Sequence, residues 1–304
     1  MDQVILTDWE ITASASSHYS LNEKHKFHLE NTFSMKIVSL DELRNDEHVV
    51  FYWGNKFRMP MLQNFPHLRW LHLGSSGHDN VKVSELLKME VKMTTSKGFY
   101  SGYVAEYLLS VVLFSSKFSL ETIFDKTKNS RLFIEKNNMF PTPLSDLSVL
   151  VFGTGEIATA FKDLMLKLNV DIECVSVSER IGFKSWKEIV SGSTYTHVIS
   201  LIALNEFTQS FFNNEVFSTI CNGSIFINAG RGQTVDKVAL IAAINNGLLQ
   251  AAVLDTHTDF NGSCGELSYC AHPKILCSPH IASWSNKFSE LQFRFLKQQV
   301  EFNS

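Results

Sequence analysis

The sequence is poor in charge and has no concentration of positive charge. Charged residues make up 19% of its 304 residues, against roughly 25% in an average soluble protein, and the formal net charge is −4. No block of Lys and Arg stands out, so we expect no surface that binds the phosphate backbone of a nucleic acid. Hydrophobic residues reach 44%, and Phe alone occurs 24 times. Long disordered segments have the opposite composition and are not expected either.

Export and membrane signals are also lacking. The first residues, MDQVILTDWE, carry acids and no basic region, unlike a secretory signal. The most apolar stretch, residues 104–114, contains Glu106 and is far shorter than the about 20 residues that span a bilayer. The five cysteines are an odd number without the spacing of a disulfide framework. We therefore expect a cytoplasmic protein in a reducing compartment, with no membrane partner.

The cysteines and nearby histidines do not predict a metal site. Five of these residues lie close together in the sequence: Cys264, Cys270, His272, Cys277 and His280. Their spacings contain no C-x-x-C pair, and Cys277 falls in an apolar run typical of a buried strand. No metal is expected.

What the chain does contain is an alternation of short apolar runs and helical patterns, which predicts parallel strands joined by right-handed crossovers. The first third predicts strands in QVILTD, KIVSLD, VVFYW, LRWLHLG and VKMTT. Further strands are predicted in SVLVF, VDIECVSV, HVISLIAL, SIFIN, QAAVLD and KILCS. Helices are predicted over GYVAEYLLSVVLFSSK, EIATAFKDLMLKLN, FKSWKEIV, VDKVALIAAINN and the tail NKFSELQFRFLKQQVEF, and a loop over the polar residues 125–146. The expected class is α/β, with two doubly wound parallel-sheet domains.

A glycine-rich turn between a predicted strand and a predicted helix indicates a dinucleotide site. The turn consists of Gly153, Thr154, Gly155, Glu156, Ile157 and Ala158. Gly153 allows a tight turn, Gly155 lets the backbone approach a pyrophosphate, and Ala158 keeps the helix close to the strand. The helix N-terminus supplies amides and a positive dipole. An ordinary tight turn is the simpler alternative.

The end of the next strand bears on the choice of cofactor. NAD-binding proteins usually carry Asp or Glu there for the ribose diol, but this sequence has Ser176, followed by Ser178 and Arg180. Hydroxyls and a guanidinium can bind a 2′-phosphate that a carboxylate would repel. The pattern favours NADP over NAD. The alternative is a solvated loop in which Glu179 takes a shifted NAD role.

Three further residues follow predicted strands of the same sheet. Arg231 lies in INAGRG, Asp255 ends QAAVLD, and His280 lies in SPHIA after KILC. Ligands of open parallel sheets bind beyond the carboxyl ends of the strands, so the three residues could share one cleft. Taken singly, each has a plainer interpretation, as a surface arginine, a helix cap and a loop histidine.

Together these segments resemble the D-isomer-specific 2-hydroxyacid dehydrogenase family. The resemblance is carried by GTGEIA, INAGRGQTVDKVALIAAINNGLLQAAVLD and SPHIAS, and extends back to GYVAEYLL and LGSSGHDN. It covers essentially the whole chain. It implies a Rossmann-type cofactor domain (residues 100–282) inserted in a flavodoxin-like substrate domain (residues 1–99 and 283–304). It also implies a homodimer formed through the cofactor domain.

The resemblance implies hydride transfer between NAD(P)H and a small 2-keto acid. His280 would be the general acid in reduction and the base in reverse, and Arg231 would clamp the substrate's carboxylate and carbonyl. The amides of Ser76 and Gly77 would hold the carboxylate, and Asp255 would bind the nicotinamide carboxamide.

The resemblance also assigns residues to the cofactor's remaining contacts. Ala229, in INAGRG, is among the residues expected to contact the cofactor. Ile202, Ala203 and Thr208 match the loop on the adenine side. Ala203 stands where the family usually has proline.

One position departs from the family pattern. The family has a glutamate five residues after the strand-end aspartate, to pair with the histidine, and that position here is Phe260. Asp259 is one residue early and Glu266 is a weaker candidate. Without a carboxylate partner the pKa of His280 would fall. We therefore hypothesise that Asp259 partners His280.

Two functions remain in competition at this point. The serines of the SSG segment and the NADP-like loop are similar to the glyoxylate and hydroxypyruvate reductase branch, which favours an oxidoreductase. The alternative is a dinucleotide-sensing binding protein, like the corepressors of the same superfamily, and the displaced glutamate supports it. Turnover of NADPH with keto acids would distinguish the two.

Overall fold

The chain folds as two compact units. The structure, a computed structural model, describes residues 2–12, 20–78, 81–119, 131–136, 140–178, 181–189, 194–258 and 269–301. The first unit comprises Met1–Tyr100 and Trp284–Ser304, and the second comprises Ser101–Ser283. Each unit has its own parallel sheet and its own hydrophobic core.

The described part of the first unit contains seven strands. They are β1 (Asp2–Thr7), β2 (Glu10–Thr12), β3 (Ser20–Asn22), β4 (Lys36–Ser39), β5 (Glu47–Gly54), β6 (Trp70–Leu73) and β7 (Lys92–Thr95). Five of them form a parallel sheet in the order β4–β1–β5–β6–β7, and β2 pairs with β3 separately. This order is that of a flavodoxin-like sheet. Helices α1 (Glu23–Phe33) and α2 (Val83–Lys88) belong to the same unit.

Helix α1 was not predicted by any apolar pattern. Leu29 is its only buried residue among those described, so most of its length carries no apolar stripe. Its limits are set locally: the Asn22 side chain accepts a hydrogen bond from the His25 amide at 2.7 Å, and Ser34 ends the helix in the left-handed region (φ 53°).

Seven strands form a parallel sheet in the residues of the second unit that the structure describes. Its strands are β8 (Val149–Phe152), β9 (Ile172–Ser176), β10 (Lys184–Ser185), β11 (His197–Ser200), β12 (Ser224–Asn228), β13 (Leu249–Leu254) and β14 (Ile275–Cys277). Its helices are α3 (Ser101–Lys117), α4 (Arg131–Lys136), α5 (Glu156–Leu166), α6 (Asn214–Ile220) and α7 (Lys237–Asn245). The order β10–β9–β8–β11–β12–β13–β14 is a Rossmann order with one added strand. The expected α/β class with two parallel sheets is confirmed.

Helix α8 (Phe288–Glu301) belongs to the first unit, where it contacts α1. Leu296 and Gln292 are its fully buried residues among those described. Short 3-10 helices lie at Met59–Asn64, Leu144–Asp146, Trp186–Glu188, Gly232–Thr234 and Tyr269–Ala271. No helix in the described part of the chain is long and apolar enough to cross a membrane.

The predicted helix over FKSWKEIV is wrong. Lys184 and Ser185 form β10 beside β9, so a helix could begin only at Trp186. Ser185 and Glu188 do form a capping box, but the turn ends at Ile189, whose side chain is buried. The predicted loop over residues 125–146 is also partly wrong, because α4 lies within it.

Candidate functional site

The turn between β8 and α5 has room for a phosphate. Gly153 adopts φ +142°, and a Cβ atom there would lie 3.0 Å from the Leu201 Cβ, so the turn favours glycine. Gly155 is the N-cap of α5, and nothing lies within 4 Å of the position its Cβ would take. The first amides of a helix have no intrahelical acceptor, so this open space faces ready donors. The turn therefore fits the pyrophosphate of a dinucleotide.

The remaining residues of the glycine-rich motif lie in the turn or in the first turn of α5. Thr154 lies in the turn, and Glu156 and Ile157 form the first turn of α5. Ala158 is 2% exposed, and its small side chain lets the helix pack closely on the sheet.

The two serines at the end of β9 that are expected to contact the cofactor have different surroundings. Ser176 is 6% exposed, and its hydroxyl donates to the Lys184 carbonyl at 3.4 Å. Ser178 is exposed and lines a cavity of about 810 Å³ together with Lys187. Glu188 also lines this cavity, but its carboxylate accepts from the Ser185 amide at 2.8 Å. Sequence patterns did not single out Lys187, because it lies nine residues beyond Ser178 in a segment expected to be helical.

Arg180 and Asp259, both predicted site residues, lie outside the described residues. So do Glu179, Phe260 and Glu266, which entered the alternatives for cofactor choice and for the carboxylate partner of His280.

The loop after β11 is closed by Thr208. Its hydroxyl donates to the Ala203 carbonyl at 2.7 Å and accepts from the Asn205 amide at 2.8 Å. Ile202 is buried and Ala203 is exposed. A Cβ atom on Gly230 would lie 2.7 Å from the Ile202 carbonyl oxygen, so this loop and the one after β12 touch.

Hydrogen bonds to main-chain groups fix the position of Arg231. The buried Asn228 donates from its amide to the carbonyls of Arg231 (3.2 Å) and Thr256 (3.1 Å), and it accepts from the Gly230 amide at 3.2 Å. The neighbouring Ala229 amide donates to the Ser200 carbonyl at 3.1 Å. The Asn228 side chain thus links the loops that follow β12 and β13 around a half-buried Arg231, and Ala229 adds a link to the end of β11. Its role was not predicted, since a strand-end Asn carries no distinctive pattern.

Asp255 organises the loop that carries His280. The carboxylate is 1% exposed. One oxygen accepts from the Ser278 hydroxyl (2.7 Å) and the Ile281 amide (2.8 Å). The other accepts from the Ala282 amide at 3.0 Å. His280 itself lies in the left-handed region, with φ 56°. Such a conformation persists where the surroundings determine it, as these hydrogen bonds do.

Opposing influences act on the imidazole of His280. Burial lowers its pKa, the negative charge of Asp255 raises it, and the positive charge of Arg231 lowers it, with a net shift downward. The residue nevertheless keeps substantial solvent exposure. Arg231, Asp255 and His280 therefore act on one another electrostatically at the carboxyl edge of the second sheet.

A separate polar loop follows β6 in the first unit. The Ser75 hydroxyl donates to the Gly77 carbonyl at 2.8 Å, and the Ser76 hydroxyl donates to the Ser96 carbonyl at 3.2 Å. Within the described residues, the main-chain N–H groups of Ser76 and Gly77 have no acceptor. Two such donors side by side suit a carboxylate.

A buried network anchors this loop to the tail helix. Gln292 on α8 donates to the Gly74 carbonyl at 3.0 Å and accepts from the Ser96 hydroxyl at 3.2 Å. The Tyr100 hydroxyl donates to the same Gly74 carbonyl. His72 completes the set, with its Nε2 at 3.3 Å from the Ser96 Oγ.

Comparison with known proteins assigns the chain to a family. The model described as D-isomer specific 2-hydroxyacid dehydrogenase, NAD binding domain, matches residues 113–282. The chain belongs to this family. It is an NAD(P)-dependent oxidoreductase, as the resemblance predicted, and the alternative of a non-catalytic sensor is not favoured.

Individual relatives of the dehydrogenase agree. D-lactate dehydrogenases from Staphylococcus epidermidis and Staphylococcus aureus are each 23% identical, over 276 residues (84% of this chain, 83% of the relative) and 301 residues (91% and 89%). A solved NADPH-dependent glyoxylate/hydroxypyruvate reductase from Sinorhizobium meliloti superposes with a TM-score of 0.73 at 20% identity, covering 100% of this chain and 95% of that one. A D-isomer specific 2-hydroxyacid dehydrogenase from Lactobacillus delbrueckii ssp. bulgaricus gives 0.75 at 14%, covering 99% and 97%.

Among the residues that the structure describes, no group of three His, Cys, Asp or Glu side chains could hold a metal ion.

Proposed function

We propose that this dehydrogenase reduces a small 2-keto acid to the D-2-hydroxy acid, with NADPH as the favoured reductant. One proton is consumed, and the products are the hydroxy acid and NADP⁺. Bound in the second unit, the reduced nicotinamide supplies the hydride to the carbonyl carbon. Sequence relatives named D-lactate dehydrogenase and a structural neighbour named glyoxylate/hydroxypyruvate reductase support a keto acid of two or three carbons.

The chain's own residues bind the substrate and move the proton. Arg231 pairs with the keto acid's carboxylate and polarises its carbonyl oxygen. The His280 imidazolium donates a proton to that oxygen as negative charge develops there, and neutral His280 takes it back in the reverse direction. The amides of Ser76 and Gly77 are assigned to a carboxylate, and Asp255 to the carboxamide of the cofactor.

The observation that carries this proposal is the set of hydrogen bonds by which the Asp255 carboxylate fixes the His280 loop. Three donors, from Ser278, Ile281 and Ala282, meet one buried carboxylate. A general acid must stay within hydrogen-bond reach of the oxygen it serves, and this anchoring restricts where the imidazole can move. The charge of Arg231 reaches the same ring.

A pH profile of kcat/KM for reduction tests His280. Because burial lowers the pKa of His280, the protonated acid is lost as pH rises through a value below 6.5, so reduction should slow with rising pH there. Oxidation of the hydroxy acid should show the opposite slope. His280→Gln should lose about 10²–10⁴-fold in kcat and abolish this slope. The exposed His28→Gln is the control, and a slope that survives in His280→Gln rejects the assignment.

We also propose that Asp259 partners His280 in catalysis. Replacement by Asn should then move the apparent pKa of the reduction profile downward, because the imidazolium loses a negative neighbour. An unchanged profile would show that Asp255 is the only carboxylate that matters to His280.

The preference for NADPH is supported by the cavity beside Ser178. It contains Lys187, and its acid, Glu188, is engaged in a helix cap. Arg180 is proposed to assist. Lys187→Gln should raise KM for NADPH about tenfold and leave KM for NADH unchanged, while the exposed Lys167→Gln alters neither. A wild-type enzyme that prefers NADH tenfold or more would contradict the preference.

We place the cofactor on residues 100–282 and the substrate carboxylate on residues 1–99 and 283–304, and propose a homodimer through the cofactor domain. Sedimentation at micromolar concentration tests the dimer, which a monomer of 34.4 kDa would exclude.

A further inference from the structure

Asp8 follows β1 at the carboxyl edge of the first sheet, beside the end of the neighbouring strand β5. Its Oδ2 atom accepts hydrogen bonds from the Tyr52 hydroxyl at 2.7 Å and from the Lys56 amide at 2.5 Å. Its Oδ1 atom accepts from the Asn55 amide at 3.1 Å. One carboxylate therefore binds both the end of β5 and the turn that follows it.

The Tyr52 hydroxyl is a permanent donor to this carboxylate. Tyr52 is fully buried, and burial, together with the negative charge of Asp8, raises its pKa. The phenol therefore stays protonated throughout the pH range of an ordinary enzyme assay. Both oxygens of Asp8 are engaged by donors of the protein itself, so this side chain is suited to hold main chain in place.

The turn held by Asp8 lies against Gly74, the first residue of the loop after β6 that carries Ser76. The Gly54 carbonyl accepts a hydrogen bond from the Gly74 amide at 3.2 Å. A Cβ atom on Gly74 would lie 3.1 Å from the Asn55 Oδ1 atom, so the Asn55 side chain packs directly on Gly74. A Cβ atom on Gly54 would overlap the Asp8 carboxylate, so the chain passes close to Asp8 at this point.

Asn55 owes its place to the main chain rather than to hydrogen bonds of its carboxamide oxygen. Its Oδ1 atom is buried and has no hydrogen-bond partner among the described residues. Its amide donates to Asp8 at 3.1 Å, and its carbonyl accepts from the Arg58 guanidinium at 3.4 Å. The bond to Asp8 is the shorter of the two and involves a charged acceptor, so we expect it to contribute more to holding Asn55 against Gly74.

Trp9, the residue after Asp8, packs on Gly74 as well. A Cβ atom on Gly74 would lie 2.8 Å from the Trp9 Cζ2 atom, and the indole is 1% exposed. Its ring lies 4.5 Å from that of Trp53 on β5. Asp8 thus stands between two parts of the chain that both meet Gly74, namely its own neighbour Trp9 and the turn at Asn55.

We propose that Asp8 is a positioning residue for the main-chain N–H groups of Ser76 and Gly77. It acts through the turn after β5, which holds Gly74 at its amide, while Gln292 holds the same residue at its carbonyl. This role rests on the proposed function, in which the two N–H groups hold the carboxylate of the keto acid. Asp8 itself is assigned to neither substrate nor cofactor.

Steady-state kinetics of Asp8→Asn test this role. An amide offers one acceptor oxygen where the carboxylate offers two, so at least one of the three donors loses its partner. KM for the keto acid should rise about five- to tenfold, with kcat within about twofold and KM for NADPH unchanged. Tyr52→Phe removes one donor and should shift the same constant less, and the exposed Asp41→Asn should shift none.

Hydrogen exchange of the Gly74 amide in the free enzyme measures the same coupling without turnover. We expect exchange about tenfold faster in Asp8→Asn, because the turn that provides the Gly54 carbonyl is then held less firmly. The Ala229 amide of the second unit, which donates to the Ser200 carbonyl, should keep its rate and thus serves as the reference for general unfolding.

A rise in KM for the keto acid alone, together with faster exchange of Gly74, supports the role of Asp8. An unchanged KM for the keto acid, an equal rise in KM for NADPH, or unchanged exchange of Gly74 overturns it. Tyr52→Phe provides the same two readouts should Asp8→Asn fail to fold. A wild type that turns over no keto acid contradicts the proposed function instead, and the exchange of Gly74 then decides whether Asp8 holds this loop.

Discussion

Several residues that shape the site form hydrogen bonds to main-chain groups and are not assigned to the substrate. Asn228 links the loops after β12 and β13, Asp255 binds the His280 loop, and Gln292 binds the loop of Ser76. Each is buried, so its polar atoms must be satisfied by the protein, and each is therefore sensitive to substitution. The residues proposed to meet the ligands owe their positions to these neighbours.

Two buried histidines make stability depend on pH. Burial lowers the pKa of His72 and of His197 to about 4. The unfolded chain, with a histidine pKa near 6.5, then binds more protons than the folded chain as pH falls from about 6.5 to about 4, so stability is lost across that window. The loss approaches about 3 kcal/mol for each residue. We expect His72→Gln and His197→Gln to reduce the fall in urea midpoint between pH 7.5 and 5.

The exposed His28→Gln serves as the control for this measurement and should keep the wild-type pH dependence. If the two buried variants also keep it, carboxylates rather than histidines control acid unfolding.

A sequence pattern can predict a contact between neighbouring residues, but not one between residues that are far apart in the sequence. The turn at Gly153 was predictable because its requirements are local, within one strand, one turn and one helix. Gln292 was not, because its partner carbonyl on Gly74 lies 218 residues away. Lys187 was missed because the pattern around it was misread as helical. Asp255 was identified by resemblance, but its hold on the next loop could come only from coordinates.

At the scale of elements, the two glycine turns respond differently to one added methyl. Gly155 opens α5 with open space above it, whereas Gly230 lies against the main chain of Ile202. Gly155→Ala should fold with an unchanged unfolding temperature but raise KM for NADPH at least tenfold, because the methyl occupies the space assigned to the pyrophosphate. Gly230→Ala should destabilise the fold by several kcal/mol, since a Cβ there would lie 2.7 Å from a carbonyl oxygen.

Gly102→Ala on α3 also meets nothing within 4 Å and controls for the methyl itself. If Gly155→Ala keeps a normal KM for NADPH, the assignment of the cofactor's pyrophosphate to this turn is contradicted.

Helix α8 acts on the Ser76 loop through Gln292. Gln292→Ala should remove one hydrogen bond from the Gly74 carbonyl and one from the Ser96 hydroxyl, at about 0.5–1.5 kcal/mol for each, while Tyr100 and His72 keep their contacts with these groups. The loop then loses its fixed position, so KM for the keto acid should rise severalfold while KM for NADPH stays constant. A purely structural role would shift both constants or neither. The exposed Gln298→Ala on the same helix should change nothing.

At the scale of the whole molecule, sparse charge and many aromatic residues now have a structural explanation. Two separate cores must be filled, and strands β8, β11 and β12 of the second sheet are buried along their whole length. The phenylalanines cluster in both units, as in the contacts of Phe212 with Phe152, Phe217 and Phe226. The length of 304 residues indicates about two domains, and the alternation of strands and helices indicates parallel sheets. The apolar pattern of the tail predicts a helix but not its position, and only the resemblance assigned residues 283–304 to the substrate domain.

The central claim is that the chain is a 2-keto acid reductase whose proton donor is His280. The most direct test follows the oxidation of NADPH and NADH with glyoxylate, hydroxypyruvate, pyruvate and a bulkier keto acid, for the wild type and His280→Gln. We predict turnover of at least one small keto acid, faster with NADPH, and a loss of about 10²–10⁴-fold in kcat for the variant. Tight cofactor binding without turnover of any keto acid, or full activity in His280→Gln, would contradict it.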